Sequence, residues 1–202
     1  MTIFLYIETN CIMGMAKGRE PLVTSFLQDL PQNVNILLPS VCYFEALVAL
    51  ENERKRYNNF IAAIDIEINE AQRNLVSQQA QILSDSLEQS LVDYDILTQE
   101  FNYTFLDILS LLEDKIELIH PNRDTLEATL QSEFLNQNKE LRDNFILRCI
   151  INHCQENQNT NKVFFSRNSK QFNKSEIQAI LLQINLKYFA DFENVINWIK
   201  TQ

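Results

Sequence analysis

From Ser40 to His120 the chain contains no glycine and no proline. So long a stretch without the residues that most readily end regular structure, with apolar residues at helical spacing, predicts long helices. Val41, Phe44, Leu47 and Val48 are followed by Tyr57, Phe60, Ile61, Ile64, Ile68 and Leu75. This pattern predicts one very long helix to about Leu83 and a second from about Asp85 to Glu113. Together they form a helical hairpin over about residues 47–113. The whole chain of 202 residues holds only two glycines and four prolines, too few for an all-β fold built on tight turns.

On either side of the hairpin the pattern changes to short β-prone runs: Ile3–Ile7, Asn35–Leu38, Ile116–Ile119, Val163–Phe165 and Leu186–Tyr188. Helical segments are expected between them: a short one through Met15, then Leu22–Leu30, Asp124 to about Phe134, Leu141–Cys154, Ser175–Leu182 and Phe192 to Lys200. Ser40, directly after Pro39, is the residue type of an N-cap, and Asp124 is another. Asn136–Lys139 and Gln155–Asn161 read as polar loops. Strands alternating with helices predict an α/β fold with a mostly parallel central sheet covered by helices on both faces. Residues 1–202 are read as a single domain with the hairpin inserted in it.

The net charge is −10, and it is unevenly spread. Between Ser84 and Glu117 nine acids face one lysine, whereas the rest of the chain holds 18 acids and 16 bases. Acidity therefore belongs to one segment, and a phosphate-bearing partner is not excluded by global charge. The four cysteines form no CxxC pair. Reduced, buried thiols are expected, since their spacing with His120 or His153 matches no zinc cluster. No apolar run approaches the length that crosses a bilayer, and Glu8 interrupts an N-terminal stretch without a basic lead-in. A cytoplasmic protein with no membrane contact is expected.

In an open α/β sheet, ligands lie outside the carboxyl ends of the strands. Four places converge there. Glu8-Thr9-Asn10 follows the first strand, and Glu45 lies one turn into the helix after the second. Asp143 opens the helix before Val163, and Ser166-Arg167-Asn168 follows Phe165. Each residue has an ordinary alternative. Glu45 suits a solvated helix face, Asp143 suits a helix N-terminus, Asn10 could cap a helix, and Ser166 and Asn168 suit a turn. Glu8 is the hardest to explain away, because an acid directly after a buried strand is costly unless paired or at an edge.

The segments IETN, PSVCYFE, RDNFILRCII and FFSRNSKQF, in this order, resemble the PIN domain, a metal-dependent ribonuclease fold. The long helical insertion and the Asn of the last motif resemble a PIN-like subgroup more than a compact toxin. The resemblance implies an acidic Mg²⁺ or Mn²⁺ site that hydrolyses phosphodiesters, with Glu8, Glu45 and Asp143 as catalytic metal ligands. Asn10, Ser166 and Asn168 would orient ligands or water. Arg167 and Lys170, with Lys17, Arg19 and Arg142, would guide nucleic acid, single-stranded or structured RNA above all. Arg54-Lys55-Arg56 suits a solvated helix.

Two departures from the family pattern matter chemically. Glu8 stands where the family has Asp, and Asn168 supplies an amide where the family often has a fourth acid. A catalytically degenerate domain that binds nucleic acid or protein is therefore the alternative, and a scaffold unrelated to nucleic acid is a third reading. A protein partner at the acidic hairpin, as in toxin–antitoxin pairs, and a homodimer through an uncovered helical face are further expectations.

Overall fold

The computed structural model describes residues 2–131 and 141–202. Five strands, β1 (Ile3–Tyr6), β2 (Val34–Pro39), β3 (Ile116–Ile119), β4 (Asn161–Phe165) and β5 (Leu186–Phe189), form one parallel sheet in the order β3-β2-β1-β4-β5. Ile3 stands opposite Val34 on one side and Asn161 on the other, which puts β1 at the centre. Leu5, Tyr6 and Ile7 are all buried. Successive strand residues point to opposite faces, so both faces of the central strand are covered. All five strands expected from the β-prone runs are present, and the α/β class is borne out.

The order of the strands locates a crevice. The chain steps outward from β1 to β2 to β3, then returns to the opposite side of β1 to lay down β4 and β5. This reversal between β1 and β4 is the switch point where doubly wound sheets bind ligands, at the carboxyl ends of the strands.

Helix α1 (Thr9–Ala16) leaves that edge, and α2 (Pro21–Gln28) begins with proline in its first turn, where the missing N–H costs nothing. Gly18 has φ +65°, a left-handed conformation that ends the run after α1. Helices α3 (Val41–Arg73) and α4 (Gln78–Glu113) form the expected hairpin. The remaining helices are α5 (Arg123–Gln131), α6 (Leu141–Glu156), the short α7 (Ser169–Phe172), α8 (Ser175–Gln183) and α9 (Phe192–Ile199). The sequence reading had no counterpart for α7. The expected loop at Asn136–Lys139 and the expected end of α5 near Phe134 lie outside the described residues.

The hairpin turns some ten residues earlier than its apolar spacing suggests. Helix α3 stops at Arg73, and the bend occupies Asn74–Ser77. Asn74 Oδ1 accepts from the Ser77 amide (3.2 Å), and Ser77 Oγ caps α4 by accepting from the Ala80 amide (3.2 Å). Polar side chains thus end one helix and start the next without glycine or proline. Leu75, expected on the buried stripe, lies in the bend and is 93% exposed, as is its neighbour Val76 at 97%. At the other end of α3 the buried positions are Cys42 and Ala46, whereas Phe44 and Leu47 face outward. Between the helices, Tyr57 stacks on Tyr94 with ring centroids 5.6 Å apart, Phe60 tilts onto Tyr94, and Ile64 and Ile68 are buried.

Two expected caps are placed differently. Ser40 makes no side-chain capping bond; its amide instead donates to the Ile119 carbonyl (2.9 Å), tying the start of α3 to the end of β3. At α5 the capping acceptor is Asn122, whose Oδ1 receives the Thr125 amide at 2.8 Å, rather than Asp124. The four cysteines are free and buried, as expected. Among the described residues no helix is long and apolar enough to cross a membrane.

Candidate functional site: an acidic edge at the switch point

Glu8 follows the buried run Leu5-Tyr6-Ile7 and is itself only 3% exposed. Its side chain caps α1, with Oε2 accepting from the Asn10 amide (3.0 Å). Its other oxygen, Oε1, accepts from the Ser166 hydroxyl (2.7 Å), so the ends of β1 and β4 meet at this carboxylate. Burial pushes the Glu8 carboxyl up to about 7. The two hydrogen bonds oppose that rise, and the nearby charges of Asp143 and Glu45 reinforce it.

Ser166 is fully buried and bonded on three sides. Its hydroxyl donates to Glu8 and accepts from the Asn168 amide (3.0 Å), while its carbonyl accepts from Tyr188 Oη (2.8 Å). Burial and the charge of Glu8 raise the Tyr188 hydroxyl to about 12, so it acts as a donor here. Asn168 Nδ2 donates to Asp143 Oδ2 (2.9 Å), which fastens the loop after β4 to the first turn of α6. Glu45 on α3 is held by Thr9, whose hydroxyl donates to Oε2 (2.5 Å), and Arg142 approaches its other oxygen at 3.6 Å.

The structure thus brings Glu8, Glu45, Asp143, Ser166 and Asn168 to one edge. Asn10 is exposed, and its backbone rather than its side chain engages Glu8. Lys170 is exposed on α7. Arg167 is committed elsewhere: its guanidinium donates to both oxygens of the buried Glu20 (2.6 and 3.1 Å) and to the Ala190 carbonyl (3.3 Å). Lys17 pairs with Glu53 at 2.6 Å.

Sequence reasoning did not single out Thr9, Glu20 or Tyr188. Thr9 sits between two named residues, yet its function depends on α3 lying alongside. Glu20 precedes Pro21 in a polar turn, with nothing local to mark it as buried. Its place also depends on Gly14, where a Cβ would come within 2.7 Å of Glu20 Cγ.

The donor set at this edge is all oxygen, which suits a hard divalent cation. Among the described residues no three His, Cys, Asp or Glu side chains form a closed metal-holding group. Hard, strongly hydrated cations such as Mg²⁺ are commonly held by one or two carboxylates, retained waters and substrate phosphates rather than by an all-protein cage. Three acids around an open edge, each steadied by a neighbouring donor, fit that mode of binding.

No curated protein and no solved structure matches the chain. A sequence model of the PIN domain matches residues 5–172, which takes in every residue of the acidic edge except Tyr188. The match covers most of the chain, and the parallel sheet carries its acids where that family's motifs fall, so the chain belongs to the PIN domain family.

Proposed function

We propose that this protein is a metal-dependent nuclease acting on RNA, with Glu8, Glu45 and Asp143 holding Mg²⁺ or Mn²⁺. PIN domains form a nuclease superfamily that generally depends on divalent metal. The observation that carries the proposal is Glu8: a carboxyl buried at a ligand-binding edge, raised to about 7, beside two further acids. A cation relieves that arrangement, because opposite charge favours the ionised carboxylate.

When bound, such an ion lowers the pKa of a water and offsets charge on the scissile phosphate. The remaining work belongs to the chain. Ser166 and the Asn10 amide hold the Glu8 carboxylate, Thr9 holds Glu45, and Asn168 holds Asp143. Asn168 keeps an amide in the fourth position, so it orients Asp143 without adding charge. In hydrolysis the water oxygen bonds to phosphorus, one ester P–O bond breaks, and the departing oxygen takes a proton. Arg142 and Lys170 are exposed cations for the phosphates on either side. The domain is read as one unit over 1–202, with the hairpin as its insertion.

The test is cleavage of labelled single-stranded RNA with Mn²⁺, with EDTA and Asp143→Asn as controls. Cleavage lost in both controls supports the reading. A second reading, a catalytically degenerate domain that binds nucleic acid or a protein partner, is favoured by Asn168 at the fourth position and by Arg142 beside Glu45. It gains support if no RNA or DNA is cut under any metal.

A further inference from the structure

Away from the acidic edge, a cleft of about 380 Å³ opens between the end of α1 and the two hairpin helices. That volume falls within the range of small-ligand sites. One wall is aromatic and apolar, with Tyr57, Tyr94, Leu97 and Phe101. Leu97 is 58% exposed, so this wall is open to solvent. Lys17, Arg19, Arg54 and Arg56 also line the cleft, against the acids Glu53 and Glu100. In a chain of net charge −10 this is a local excess of positive charge.

The ion pairs sharpen the picture. Glu53 is occupied by Lys17 and Arg56, at 2.6 and 3.0 Å. Arg19 and Arg54 are exposed and make no ion pair among the described residues. Two free guanidinium groups beside an aromatic wall match a nucleotide: phosphate for the arginines, a base face for the rings.

The cleft is also in register with the acidic edge. Helices α1 and α3 run side by side, joined by Thr9–Glu45 at the edge and by Lys17–Glu53 at the cleft, eight residues further along each helix. At 1.5 Å per residue the two sites lie about 12 Å apart. That is roughly three to four stacked nucleotides at 3.4 Å each.

We propose that this cleft is a binding site for single-stranded RNA, in which a base stacks on the Tyr57–Phe101 wall while Arg19 and Arg54 hold its flanking phosphates, on a strand that continues to the acidic edge. The inference rests on the nuclease reading and assigns that site a second, upstream or downstream, foothold. A helical hairpin inserted after β2 supplies one wall, so the foothold belongs to this chain's own elaboration of the fold.

The experiment measures RNA affinity of the full-length Asp143→Asn protein, with and without R19E/R54E, by fluorescence anisotropy. It uses single strands of roughly three and about ten nucleotides, the second long enough to span both sites. The expected result is that the long strand binds more tightly and that R19E/R54E removes about tenfold of this advantage. Its log–log salt slope should fall by about two, one for each lost phosphate contact. Both arginines are exposed, and an unchanged Tm confirms that the variant is folded. An undiminished length advantage in the variant overturns the cleft. If the wild type nevertheless cuts RNA with Mn²⁺, the nuclease reading stands without it. Absence of both cleavage and RNA affinity overturns the reading and the cleft together. A polyglutamate peptide that binds in an Arg19- and Arg54-dependent manner where RNA does not would overturn the cleft as an RNA site and make it a protein-docking surface.

Discussion

The Ser166 hydroxyl donates to Glu8 Oε1 at 2.7 Å, a buried bond between residues 158 positions apart in the chain. It joins the loop after β4 to the acid that ends β1, and it also receives the Asn168 amide. Ser166→Ala removes a donor from a buried carboxylate and leaves a backbone N–H without its acceptor. The expected cost is about 2 kcal/mol of stability, with weaker Mn²⁺ binding as the Glu8 carboxyl rises further. Urea unfolding and calorimetric titration with Mn²⁺ check this. Wild-type values in both would mean that the bond is incidental.

Glu8 makes the metal-free protein sensitive to pH. The folded state keeps this proton up to about pH 7, whereas an unfolded glutamate loses it near 4.3. Between these values the folded protein binds more protons than the unfolded one, so stability falls as pH rises, by roughly 3 kcal/mol across the window. Glu8→Gln should flatten this part of the stability curve, and Mn²⁺ should flatten it in the wild type. Thermal melts at a series of pH values, with and without metal, would show both effects. A slope in Glu8→Gln equal to that of the wild type would sink the assignment.

Asn168→Asp converts the amide that donates to Asp143 at 2.9 Å into a fourth carboxylate. Without metal the new pair repels, and a loss of about 1–2 kcal/mol is expected. With Mn²⁺ the added charge strengthens binding, so the rise in Tm on adding metal should be larger than in the wild type. A variant whose metal response is no greater than the wild type's would count against metal at this edge.

The Glu20–Arg167 pair is expected to be structural. Glu20 is almost fully buried, while about half of the Arg167 side chain is exposed. Arg167→Ala leaves a buried acid without its partner and should cost about 2–3 kcal/mol, less than a fully buried pair because water reaches the arginine. Combining it with Glu20→Gln should restore part of the loss. Gly14→Ala should also destabilise, although alanine favours helix by about 1 kcal/mol, because its Cβ would meet Glu20 Cγ. A double variant no more stable than Arg167→Ala would show that the charge left behind is not the cause.

The strands and most helices were legible because their signals are local. The apolar run Ile3–Ile7, the alternation of short strands with amphipathic helices, and the glycine-free stretch after Ser40 each act within a few turns of chain. The hairpin bend was misread because Asn74 and Ser77 terminate helices through side-chain hydrogen bonds, which leave no composition signal as strong as glycine or proline. Leu75 then continued the helical spacing through a bend that exposes it.

By itself the sequence determined the α/β class, the five strands and the three acids that end up at one edge, since periodicity and strand termini are properties of adjacent residues. Only the tertiary structure decided what holds those acids. Glu8 caps its own helix while Ser166 reaches it from another strand, Thr9 secures Glu45, and Arg167 turns to Glu20. The physical reason is separation: Arg167 and Glu20 lie 147 positions apart, as far as almost any pair here. Partners at that distance are chosen by how helices and strands pack, and burial then sets the charge state of what they hold.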